Sequence, residues 1–246
     1  MLFRSGQARA TAHAFSAPAH REKNLIRLAD AYLNWARTLP VGSDAQFASA
    51  KNFAATARTP EQLAIVRGLL DGSHTIDGIT VDADFRWILI GRLAATGQMT
   101  RAEIDAEAAA DVTAAGVRNA AAARAAVPEM DSKQGAWSAI LGDLEMSNEV
   151  LEATVAGFMG MDQAELVAGF TDAYFSALPA VWAERSNEIA QTITTGLFPS
   201  LQFTQETVDK ANAFLATVDV PFGCKRLVGE GRDALVRALK AQAADS

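Results

Sequence analysis

Cysteine, histidine and aromatic residues are scarce in this sequence, and each scarcity removes a class of chemistry. The single cysteine, Cys224, excludes an internal disulfide framework and a cysteine-based zinc site. The three histidines, His13, His20 and His74, do not form H-E-x-x-H, and Pro18 separates the first two. They read as solvated surface histidines, so no metal or other cofactor is expected in this chain. Basic charge is also short: 22 Lys and Arg stand against 29 Asp and Glu, a formal net charge of −7. That excludes the electrostatic footprint of a nucleic-acid partner. No run reaches the ~18 apolar residues that cross a bilayer. The best, Trp87–Ala95, is flanked by Arg86 and interrupted by Arg92. Neither a membrane nor a nucleic acid is expected as partner, and a cytoplasmic location follows. G-x-S-x-G and G-x-x-x-x-G-K-[ST] are both missing, which removes the hydrolase elbow and the phosphate loop.

What is present is helix. Half of the chain is hydrophobic but only 7% is aromatic, and about a fifth is alanine, the best helix former. Apolar residues recur at helical spacing, as in Leu25, Leu28, Ala29, Tyr32, Leu33 and Ala36. Thr59-Pro60-Glu61 and Thr100-Arg-Ala-Glu103 are helix starts, the second a capping box. Ser43 or Asp44, Asp82, Ser147 and Thr204 are further N-caps, and the seven prolines fall between periodic runs. The pattern predicts about twelve helices, near 22–38, 44–57, 60–71, 82–96, 100–109, 111–126, 128–142, 147–158, 162–177, 180–196, 204–217 and 221–243. His74–Val81 has strand-like residues around Asp77-Gly78, but its arms are too short for a stable hairpin and it reads as a loop. Short connections predict antiparallel neighbours. The expected fold is all-α, an irregular α-solenoid of HEAT or armadillo kind, with a closed bundle as the competing architecture. Residues 22–246 read as one domain. Residues 1–21, rich in Arg, Ser and Ala with no acid, read as a solvated first helix; the alternative is a transit peptide. The opening Met-Leu-Phe-Arg-Ser resembles translated sequencing-adapter read-through, which raises the suspicion that the first few residues are not native.

Candidate chemistry is thin. Gly229-Glu-Gly231-Arg-Asp-Ala234 matches G-x-G-x-x-A, but in a helical pattern with no preceding strand it reads as small residues in a packed helix. Cys224 has no histidine beside it in sequence and reads as a packed or surface thiol. Asp143, Glu145, Glu149 and Glu152 read as a solvated face around a helix start. Phe85, Trp87, Trp137, Phe158, Phe170, Tyr174, Phe175 and Trp182 read as core. No catalytic residue stands out.

An ordered set of short motifs carries a resemblance. Thr59-Pro-Glu-Gln-Leu63, Val66-Arg-Gly-Leu-Leu-Asp71 and Asp84-Phe-Arg-Trp-Ile-Leu-Ile-Gly-Arg-Leu-Ala-Ala-Thr-Gly97 come first. Ser147-Asn-Glu149, Tyr174-Phe-Ser-Ala-Leu-Pro179, Trp182, Ser186-Asn-Glu-Ile-Ala-Gln191, Gly196-Leu-Phe-Pro199 and Glu230-Gly-Arg-Asp233 follow. From about residue 7 to 243 the chain resembles the C-terminal helical domain of zinc aminopeptidases of the aminopeptidase N family, actinobacterial type. The resemblance implies a HEAT-like bowl that covers a catalytic domain, in cis or in trans, and controls peptide access. It also implies an enzyme that removes N-terminal residues from peptides, with zinc held by H-E-x-x-H and the substrate amine gripped by G-x-M-E-N. Neither motif is present, and Phe158-Met-Gly-Met-Asp162 is only superficially similar to the second. The chain alone is therefore expected to be inactive. A peptide's C-terminal carboxylate would need a cation, and Arg86 and Arg185, each close to a Trp, are the candidates. The competing role for both is structural ion pairing between helices. The competing function is a free-standing helical scaffold that binds a protein on its concave face. A missing catalytic portion would also leave an apolar face exposed, so the isolated chain is expected to self-associate.

Overall fold

The computed structural model describes residues 2–246, with side chains from Gln7 onward. Local chemistry sets most helix starts. Ser43, Thr59, Asp82, Thr100, Thr113, Ser147, Ser186 and Thr204 each accept a bond from the backbone N–H three residues on. Each bond satisfies a donor that a helix N-terminus leaves free. At Thr59 and Thr100 the bond is reciprocated by Gln62 and Glu103, completing two capping boxes.

Fourteen α-helices follow among the described residues. They are α1 (Leu2–Phe15), α2 (Pro18–Thr38), α3 (Asp44–Thr56), α4 (Pro60–Asp71), α5 (Ala83–Ala95), α6 (Arg101–Ala110) and α7 (Ala114–Ala126). Then come α8 (Met130–Gly142), α9 (Asn148–Phe158), α10 (Ala164–Ala168), α11 (Thr171–Glu184), α12 (Asn187–Gly196), α13 (Gln205–Thr217) and α14 (Phe222–Ala244). A single 3₁₀ turn, Met161–Gln163, precedes α10. The 74–81 segment is a loop, as expected, pinned by buried Ile76 and by Gln46 Nε2 donating to the Asp77 carbonyl at 2.8 Å. Gly78, at φ +77°, supplies the left-handed turn residue.

Boundaries after residue 160 differ from the sequence expectation: the single helix expected over 162–177 is divided at Gly169-Phe170 into α10 and α11. Pro179 lies inside α11 rather than between two helices, and the break falls at Arg185-Ser186. Proline costs a helix one backbone bond. Buried Tyr174, Leu178 and Val181 nevertheless carry one apolar face past it, while the Ser186 hydroxyl starts the next helix. The N-terminal segment also differs. The α1 helix is not simply solvated, because it packs on α2, α3 and α14.

The helices form two layers. Helices α3, α5, α7, α9, α12 and α14 pack in sequence as an inner row, and α4, α6, α8, α11 and α13 back them, with α2 against α3. One core runs from Ala29 to Val127 around Phe53, Phe85, Leu89 and Ile104. A second runs from Ala125 to Leu235 around Ile140, Phe158, Tyr174 and Phe214. They meet along alanine-rich α7. Gly157 lets α9 lie directly on α7, since a Cβ there would collide with the Ala122 backbone. The row is strapped across its ends by α1 and the turn after it. Ala17 N–H donates to Asp245 Oδ2 at 2.8 Å, and Gln242 Nε2 donates to the Ala14 carbonyl at 2.7 Å. Among the described residues, no helix is long and apolar enough to cross a membrane.

Candidate functional site

The inner row ends on a set of carbonyls that nothing in the helices themselves can satisfy. Long polar side chains do so instead. Arg9 Nη1 donates to Ala55 O at 2.7 Å and Arg92 Nε to Ala57 O, both at the end of α3. Gln163 Nε2 donates to Ala95 O at the end of α5 and to Ala126 O at the end of α7. Lys133 Nζ, fully buried, donates to Ala125 O at 2.7 Å and to Gly157 O and Phe158 O at 3.3 and 3.0 Å. These groups place positive charge against the negative ends of the α3, α7 and α9 dipoles, and a neutral amide against that of α5. Burial pushes the Lys133 ammonium down to about 8.

Beside this rim the inner face encloses a hollow of about 370 Å³. Its wall combines small residues of α5, α7 and α9 with Trp87, Ile88, Asn119 and the guanidinium groups of Arg9, Arg58 and Arg92. Asp162 joins two of these cations. Its carboxylate accepts from Arg58 Nη2 at 2.9 Å and from Arg92 Nη1. Arg58 Nη1 also reaches Glu22 at 2.7 Å. Burial raises the Asp162 pKa, but Arg92 and Arg58 outweigh it and hold the carboxyl below its ordinary range. The Thr59 capping box positions Arg58, because Gln62 Oε1 accepts the Arg58 backbone N–H at 2.9 Å. Among the described residues, no His, Cys or Ser lines this hollow. Its chemistry is recognition of charge and shape.

Trp87 and Met159–Asp162 line the hollow, but the arginines singled out from sequence, Arg86 and Arg185, lie elsewhere and apart. Arg86 Nε donates to Glu107 at 2.9 Å, Nη2 reaches the same carboxylate, and Nη1 donates to Leu70 O at 3.0 Å. The side chain is thus held among α4, α5 and α6. Arg185 donates to the carbonyls of Ile140, Leu141 and Asp143 at 3.3, 2.8 and 3.0 Å, closing the end of α8. His13 overturns the expectation of surface histidines. It is 6% exposed and its Nε2 bonds the Met161 carbonyl at 2.9 Å, because α1 crosses the 3₁₀ turn. Burial lowers its pKa against the opposing pull of that bond. Cys224 is fully buried and its thiol is pushed up to about 11. Gly231 packs against the Phe198 ring, where a Cβ would lie 2.7 Å from Cδ2. The four acids from Asp143 to Glu152 are exposed.

Zinc, implied by the resemblance, finds no matching donor set. Among the described residues, no three His, Cys, Asp or Glu gather with metal-holding geometry. Sequence reading missed Arg9, Arg58, Asp162 and Lys133 as a group, since 104 positions separate Arg58 from Asp162. The one visible signal was Arg92, a charge inside the most apolar run of the chain.

The chain is 48% identical over 232 residues to Aminopeptidase N of Streptomyces lividans. The match covers 94% of this chain but only 27% of that protein's length. Residues 6–237 match the family described as the ERAP1-like C-terminal domain. With its two-layered helical stack and its match over nearly the whole length, the chain belongs to the ERAP1-like C-terminal domain family.

Proposed function

We propose that this chain is the C-terminal, cavity-covering part of a zinc-dependent aminopeptidase that removes N-terminal residues from peptides. Family membership supports the enzyme class. The observation that carries the covering role is the inner-face hollow, whose small residues leave room and whose guanidinium groups attract anionic peptide ends. Enclosure of this kind limits which peptides reach a reaction centre and excludes bulk water. Zinc and its ligands would lie in the part of the enzyme outside this chain.

Exposed apolar residues support docking of that other part. Val41, Val112 and Leu144 sit in the α2–α3, α6–α7 and α8–α9 turns, and Phe222 opens α14. All four connections run from the outer layer to the inner one, so they share one edge. The isolated chain is expected to gain mass with concentration in light scattering. A clean monomer across micromolar concentrations counts against an uncovered docking edge.

The direct test replaces the matching region of the Streptomyces aminopeptidase with this chain. The hybrid should hydrolyse peptides and discriminate them by length, whereas the enzyme truncated before this region should lose the discrimination. Equal length profiles would overturn the covering role. Zinc-dependent release of amine from aminoacyl-anilides by the 246-residue chain alone would overturn the placement of the catalytic site. In the same hybrid, Arg86→Ala and Arg185→Ala test the proposed carboxylate contacts. A peptide would have to compete with Glu107 at Arg86 and with three carbonyls at Arg185, and unchanged preference for the peptide C-terminus would sink both.

A further inference from the structure

All the buried side-chain polar atoms without a hydrogen-bond partner, among the described residues, fall on three residues: Arg21 Nε and Nη2, Arg58 Nε and Gln163 Oε1. All three residues line one groove between α2, the start of α4 and the 3₁₀ turn. Buried polar groups are ordinarily paired, so such a concentration needs an explanation.

Arg21 is the sharpest case. Its guanidinium stacks on Phe203, with Cζ 5.0 Å from the ring centroid, and among the described residues its Nε and Nη2 have no hydrogen-bond partner. An uncompensated, partly buried charge is costly. Its two orphan nitrogens, Nε and Nη2, form one side of the guanidinium, the fork that fits two oxygens of an oxyanion. Arg58 is 9% exposed, with Nη1 and Nη2 engaged by Glu22 and Asp162 and only Nε left over. Gln163 has both its donor bonds made, and its carbonyl oxygen is left without a donor. Glu22, Asp162 and Glu165 also line the groove; the first two are neutralised by Arg58 and Arg92. His13 also lines the groove.

We propose that this groove is a binding site for a small oxyanion that carries a hydroxyl, the chemistry of hydrogen phosphate. The three orphan N–H donors require acceptor oxygens, and the orphan Gln163 carbonyl requires one O–H. The groove shares Arg58, Arg92, Asp162 and Gln163 with the hollow, but Arg21 belongs to the groove alone, and the site does not rest on the aminopeptidase reading.

Thermal unfolding of the 246-residue chain in inorganic phosphate, sulfate and chloride at matched ionic strength tests it. Phosphate should raise Tm by about 5 °C at a hundredfold excess over its dissociation constant. Sulfate, with no hydroxyl at neutral pH, should give a smaller shift and chloride none. Arg21→Met keeps an apolar stem on Phe203 and should lose the phosphate shift, and Arg21→Lys, which keeps the charge without the fork, should lose most of it. A phosphate shift retained in Arg21→Met overturns the site, as does a wild-type shift no larger in phosphate than in chloride. Equal shifts in phosphate and sulfate overturn the hydroxyl. Titration calorimetry of phosphate into the wild type should saturate at one site per chain, and heats that never saturate overturn the proposal even where a variant fails to fold.

Discussion

A lysine buried among backbone carbonyls has a stability that depends on pH in a definable direction. Lys133 contacts three carbonyls and the Phe158 ring, and forms no ion pair among the described residues. Its pKa is about 8 when folded, against about 10.4 in an unfolded chain. Between those values the unfolded chain holds more protons, so this residue makes stability rise with pH. Cys224 acts oppositely above about 8.5, since its raised pKa keeps the folded thiol protonated longer. Subtracting Lys133→Met cancels the cysteine contribution. The difference should move in favour of the wild type by up to about 1.4 kcal/mol per pH unit from pH 8 to 10, read by urea unfolding of both proteins. At neutral pH, Lys133→Met should cost about 2–4 kcal/mol, because it leaves helix-end carbonyls unpaired. Asp162 gives the complementary case. Its Ala variant leaves Arg92 without its ion pair and Arg58 with Glu22 alone, and should cost about 3–5 kcal/mol. Its own contribution, present at neutral pH, is lost as acid protonates the carboxylate below its depressed pKa.

Among the elements, contact distance between helices matters more than their individual propensity. Helices α7 and α9 approach so closely that Gly157 faces the Ala122 backbone. Gly157→Ala adds helix propensity but should force the pair apart, destabilising the chain by about 1–3 kcal/mol. Thr59→Ala removes only a cap and should cost about 1 kcal/mol. Denaturation midpoints of the two variants at unchanged m-value give the comparison, and a milder Gly157→Ala would show that the two helices can slide. The caps and periodicities behind these elements were legible because they are local. A threonine three residues before a glutamate meets it whatever the rest of the chain does. Pro179 was misread for the opposite reason. Its helix continues because distant helices hold Tyr174, Leu178 and Val181 in one core, which outweighs the lost backbone bond.

For the whole molecule, the strap at α1 joins what the row of inner helices leaves apart. It links α2 and α3 to α14 through Arg9, Ala17 and Gln242. Removing residues 1–15 should leave both cores folded while speeding amide exchange in α14, the end whose partner is lost. Unchanged exchange there would show that the strap holds nothing.

Composition and pattern alone determined that this chain is helical, where most helices start, and which chemistries its residue types exclude. Those properties depend on neighbours within a few positions. Resemblance over most of the chain also placed it in a family whose catalytic motifs it does not carry. Only the tertiary structure decided which charges are buried and what they face. Arg9, Arg58 and Asp162 look like ordinary surface charges in sequence, and His13 an ordinary surface histidine. They become a polar hub because α1 and the turn at residues 161–163 are brought against the ends of the inner helices. Burial and electrostatic pairing depend on distance in space, which a linear pattern does not encode.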